Sequence, residues 1–106
     1  MSASASDRPD DWVFAAGPGA PGANAVLERL GGPGLRVLLT GEGLAWLARP
    51  SALERLRGVE ADLALCSASA RTQGLSAAAT PEGVRWSSIA TWVAELAGRP
   101  FGWIAP

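Results

Sequence analysis

LALCSASARTQGL, residues 63–75, decides how this chain folds. Leu63, Ala64 and Leu65 run without a polar break into Cys66, small residues follow, and Gly74 closes the stretch. A half-exposed strand alternates apolar and polar side chains, whereas a strand that is apolar at every position is covered on both faces. Residues 62–66 read as the second kind, and SARTQGL (69–75) as a short helix or turn.

The same signature recurs on either side. DWVFAA (11–16) is an apolar run ended by GPGAPG, and LRVLLT (35–40) is closed by Gly41. FGWIA (101–105) makes a last short strand. Helical patterns alternate with these strands. ANAVLERL (23–30) places Val26, Leu27 and Leu30 on one face, and GGPG stops it. GEGLAWLARP (41–50) reads as a loop with a helical turn. SALERLRG (51–58) reads as a helix with Ser51 as cap, Glu54 at capping-box spacing and Gly58 at its end. Residues 76–83 are small and rich in breakers. In VRWSSIATWVAELAG (84–98), Trp86, Ile89, Val93 and Leu96 follow helical spacing with Trp92 alongside, so the whole segment reads as one helix ended by Gly98 and Pro100. Strands alternating with helices predict a three-layer α/β/α fold around a mostly parallel sheet of four to five strands.

Composition narrows the function. The 106 residues include 9 arginines, no lysine and no histidine, with a net charge of −1. The arginines are spread from Arg8 to Arg99, so the basic patch that nucleic acid requires is missing. The single cysteine excludes an internal disulfide and a CxxC motif. Without histidine a zinc site would rest on carboxylates, and no carboxylate cluster has that pattern. The start, MSASASDRPDD, lacks the features of a signal peptide; residues 1–10 read as a disordered leader to a single domain over 11–106. No apolar run approaches the ~20 residues of a membrane span. These features predict a cytoplasmic protein with a reduced thiol.

In a parallel sheet, binding and reactive groups gather at the carboxyl ends of the strands. Three loops qualify: 17–24, 40–43 and 66–70. Cys66 stands at the third. A helix starting just behind it would aim free backbone N–H groups at the sulfur, with Arg71 nearby in sequence, and both lower a thiol pKa. Free cysteine is also among the most buried residue types, so a packing role fits the same position. The first two loops supply Gly17, Gly19, Gly41 and Glu42 as candidate ligand-binding residues, joined by Arg71. GPGAPGAN (17–24) lacks the lysine of a phosphate-binding loop and reads better as a turn, as does Glu42 between two glycines. Of 5 tryptophans, Trp12 and Trp103 are expected to flank the sheet and Trp86 and Trp92 to pack one helix on it. Trp46 sits in a loop-rich region that is harder to bury, and one or two tryptophans suit a subunit contact.

Taken in order, these motifs resemble the DsrE/DsrF-like family of sulfur-relay proteins. Gly17-Pro18 follows the first strand, Glu42-Gly43-Leu44 forms the turn after the second, and the third strand ends in Cys66. Ala68, Ala70, Arg71, Gly74 and Leu75 then match the segment after the cysteine, and Gly83 to Ile89 resembles the opening of the family's last helix. The similarity runs from about 11 to 105. Where family members carry paired basic residues, this chain has Arg71-Thr72-Gln73. The resemblance implies a sulfur carrier or sulfurtransferase that holds sulfur as a persulfide on Cys66 without a cofactor. It further implies donor and acceptor proteins as partners, and assembly as a homo-oligomer (trimer or hexamer) or with a paralogue. Relatives that act only structurally imply the alternative: an oligomeric subunit or small-ligand-binding module with an inert cysteine.

Overall fold

Strands β1 (Asp11–Phe14), β2 (Arg36–Leu39), β3 (Asp62–Cys66), β4 (Val84–Ser87) and β5 (Gly102–Ile104) form one wholly parallel sheet in the order β4-β3-β2-β1-β5. The computed structural model describes residues 10–106; residues 1–9, nearly all of the expected leader, lie outside the described residues. Asp10, where that leader was expected to end, already accepts a hydrogen bond from the Arg36 N–H at 2.8 Å.

The connections are α1 (Pro21–Leu30), a 3-10 turn (Gly41–Leu44) leading through α2 (Ala45–Ala48) into α3 (Pro50–Gly58), then α4 (Ser67–Thr72) with a 3-10 turn (Ala77–Ala79), and finally α5 (Ile89–Glu95). From β1 to β4 the chain steps sideways in one direction, and from β4 to β5 it returns past all of them to the far side of β1. Right-handed crossovers then place α1, α3 and α4 on one face and α5 on the other. Side chains divide accordingly. Phe14, Val37, Leu39, Leu63, Leu65 and Val84 join Val26, Leu27, Trp46, Leu56 and Ala70 in the main core, whereas Val13, Leu38 and Ala64 cluster with Trp92 of α5 and Leu96 just after it, with the half-buried Val93 packed alongside. Each of the inner strands β1, β2 and β3 is buried on both faces, which is why its sequence shows no polar alternation.

Several expectations need correction. Val84–Ser87 is an edge strand paired with β3, not the first turn of a helix. Gly83, at φ +87°, turns the chain into it, and Ser88 then caps α5 by accepting from the Thr91 N–H at 3.0 Å. Trp86 therefore belongs to the main core's margin and Trp92 to the opposite face. Helix α3 starts one residue earlier than its capping pattern suggests, with Pro50 in its first turn and no side-chain cap, so Ser51 lies inside it. Trp46 is buried after all: its ring centroid lies 5.9 Å from that of Phe14 and its Nε1 donates to the Ala16 carbonyl at 3.2 Å.

At the amino-terminal end of the second face, charge holds α5 down. Arg36 meets Asp11 (3.3 Å), Asp62 (3.7 Å) and Glu95 (2.8 Å), and lies 5.2 Å above the Trp92 ring. Arg85 meets Asp62 and Glu95, and Arg99 reaches Asp11.

Candidate functional site

The carboxyl ends of β2, β3 and β4 carry Thr40, Cys66 and Ser87 side by side. The alternation that puts Leu38, Ala64 and Arg85 on the second face puts these three there too, and the register pairs Cys66 with Ser87. Leu63 and Leu65 must face the main core, so Cys66 must turn away from it. The thiol is 5% exposed, at the rim of the sheet.

Helix α4 begins at Ser67, making Cys66 its N-cap residue. Burial pushes the thiol pKa up, but the N–H and hydroxyl of Ser69, the hydroxyl of Thr40 and the N–H of Ala68 more than offset this and hold it below its ordinary value. Their positions are fixed by the neighbouring turn. Ser69 Oγ accepts from the Gly41 N–H at 2.9 Å and lies 3.1 Å from Thr40 Oγ1, while Gln73 Nε2 donates to the Gly41 carbonyl at 2.8 Å. Gly41 adopts φ +53°, and this left-handed turn presents both its N–H and its carbonyl to α4. The arrangement suits a thiolate: a sulfur turned out of the core, stabilised without a neighbouring base.

The other predicted residues divide between two places. Gly17, Gly19 and Glu42 line one open cleft of about 580 Å³, together with Leu44, Arg49 and Gln73. Gly41 does not line it but holds its Gln73 wall. Arg71 lies elsewhere, in a pocket between α4 and β4. Thr40, Ser69 and Gln73 were not singled out from sequence, although a signal existed. Thr40 ends an apolar strand run, and Ser69 sits three residues beyond Cys66, the spacing of a cap acceptor and the N–H it faces. Among the described residues, no His, Cys, Asp or Glu side chains gather in threes as a metal site would require, and no helix is long and apolar enough to cross a membrane.

No protein-family model and no curated protein matches the chain. Among solved structures it is similar to a protein of unknown function, MTH1491, from Methanobacterium thermoautotrophicum. The TM-score is 0.57 at 18% identity, over 91% of this chain and 98% of that one. That likeness supports the α/β fold across nearly the whole molecule.

Proposed function

We propose that the protein is a small sulfur carrier of DsrE/DsrF-like type, working in the cytoplasm between a sulfur donor protein and an acceptor protein. The observation that supports this reading is the polar shell around Cys66, which lowers its pKa although it is buried. In the reaction, the Cys66 thiolate bonds to the outer sulfur of a donor persulfide. The donor's S–S bond breaks, and the donor thiolate leaves with the electron pair. The sulfur now on Cys66 lies about 2 Å further out, which moves the reactive atom from the buried position toward solvent. Delivery repeats the step with the acceptor as nucleophile and Cys66 as leaving group, a role favoured by a low thiol pKa.

Incubation with sodium tetrasulfide followed by intact-mass measurement tests this. One reductant-labile sulfur is expected on the wild type and none on Cys66→Ser. A native thiol that takes up no sulfur and resists alkylation refutes the reading. Assembly is part of the proposal: the large apolar side chains Ile89, Phe101 and Trp103 are left 37%, 38% and 49% exposed, and a second copy or a paralogue would cover them. Light scattering showing a clean monomer would remove that part. A second reading, a small-ligand-binding module, draws on the cleft that brings Gly17, Gly19 and Glu42 together.

A further inference from the structure

Between α4 and β4 lies an open pocket of about 430 Å³ whose lining includes Arg71, Arg85, Ser67, Ser87, Thr91 and Glu95. Cys66 does not itself line it, but two residues that flank Cys66 do. Ser67 is the next residue after Cys66, and Ser87 is its partner across the β3–β4 ladder, where neighbouring strands run about 4.8 Å apart. Glu95 is the one acidic side chain in the pocket, and its carboxylate is already shared by Arg36 at 2.8 Å and Arg85 at 3.4 Å. Arg71, by contrast, makes no ion pair or side-chain hydrogen bond among the described residues. The pocket thus combines one uncommitted guanidinium, a second one paired with Asp62 and Glu95, and the hydroxyls of Ser67 and Thr91, while the Ser87 hydroxyl donates to the Ser88 carbonyl at 3.4 Å. That is the donor set of an oxyanion site, since a guanidinium fork and hydroxyls match oxygen acceptors in geometry and charge.

We propose that this pocket holds the oxyanion end of thiosulfate, a small sulfur donor in which the transferable sulfur is bonded to an SO3 group. The inference rests on Cys66 as the sulfur carrier and adds the class of donor it accepts. The Cys66 thiolate bonds to the outer sulfur, the S–S bond to the SO3 group breaks, and sulfite leaves with the electron pair. Three negative charges enter the step and three remain, one on the new persulfide and two on sulfite. Two anions must therefore be brought together, and the unpaired Arg71 guanidinium supplies the positive charge that offsets their repulsion, Arg85 being already paired with Asp62 and Glu95.

Sulfite titrated calorimetrically into the Cys66→Ser protein reads the pocket without the chemistry. Saturable millimolar binding is expected, weakened about tenfold or more by Arg71→Ala as one charge-assisted contact is lost. Arg71 is exposed and unpaired, so its removal leaves the fold intact. Loading by thiosulfate and by sodium tetrasulfide then separates the two ideas. The inference expects Arg71→Ala to lose loading from thiosulfate while keeping loading from tetrasulfide. No sulfite binding, or binding and thiosulfate loading indifferent to Arg71→Ala, overturns the inference and leaves the carrier reading standing if tetrasulfide still loads. Sulfite binding that depends on Arg71, in a wild-type protein that no donor loads, overturns the carrier reading and with it the donor assignment, leaving an anion site.

Discussion

The two faces of the sheet are built differently. The first is packed by α1, α2, α3 and α4 with leucine, valine, phenylalanine and Trp46, and its cluster holds most of the buried apolar side chains. The second is covered by α5 alone. Its apolar contact is confined to five buried residues, with charge at one end of the strands and hydroxyls and the thiol at the other. A thick apolar face supplies stability but excludes polar chemistry. The thin face can carry a titratable sulfur because its rim is not filled by a second helix.

Substitutions can break or sharpen this contrast. The largest effect belongs to the first face: Leu65→Ala, at a fully buried position, should cost about 3 kcal/mol in urea unfolding, with little change in Cys66 alkylation. Arg36→Met comes next. It leaves Asp11, whose side chain is 6% exposed, with only Arg99 at 3.7 Å, and a loss of about 2 kcal/mol is expected. A double variant that also carries Asp11→Leu should recover much of that loss; an additive loss would show that Arg36 and Asp11 are not coupled.

At the rim the effect is on reactivity more than on stability. Thr40→Val and Ser69→Ala each remove a hydroxyl beside the sulfur, so the thiol pKa should rise and alkylation by iodoacetamide at neutral pH should slow. In the wild type the folded thiol lies below its unfolded value. Its contribution to stability therefore grows as the pH rises between those two values and is lost as the pH falls through the folded one. Cys66→Ser should flatten that segment of the stability–pH curve. The smallest effect is expected at Ala97, which holds φ +52° after α5: Ala97→Gly should gain up to about 1 kcal/mol, read as a raised melting temperature.

The first face was legible in the sequence because buried parallel strands advertise themselves as unbroken apolar runs. β1, β2 and β3 lie within the segments those runs mark, and Cys66 stands at the strand end its sequence indicates. β4 was hidden because it is short and at an edge. Trp86 happens to fall three residues before Ile89, so strand and helix share one apparent helical period, and only Gly83 and Ser88 betray the joint. The hydroxyl shell was illegible for another reason. Thr40 and Ser69 come together only through the β2–β3 register and the turn at Gly41, and no local pattern encodes such a meeting.

Strand β1 lies inside the sheet, yet one of its two neighbours comes from the opposite end of the chain. β1 to β4 can zip together stepwise as each βα unit forms, whereas pairing Trp12 with Gly102 must close almost the entire described chain into a loop, at an entropic cost that grows with its length. The Trp12 ring rests where a side chain on residue 102 would stand, so the last strand also seats an aromatic group present since the first. Until β5 docks, β1 offers a bare edge with the Ala15 N–H still lacking the Ile104 carbonyl it later meets at 2.9 Å. A folding chain is consequently most open to mispairing with its neighbours in the interval before Gly102–Ile104 dock on β1.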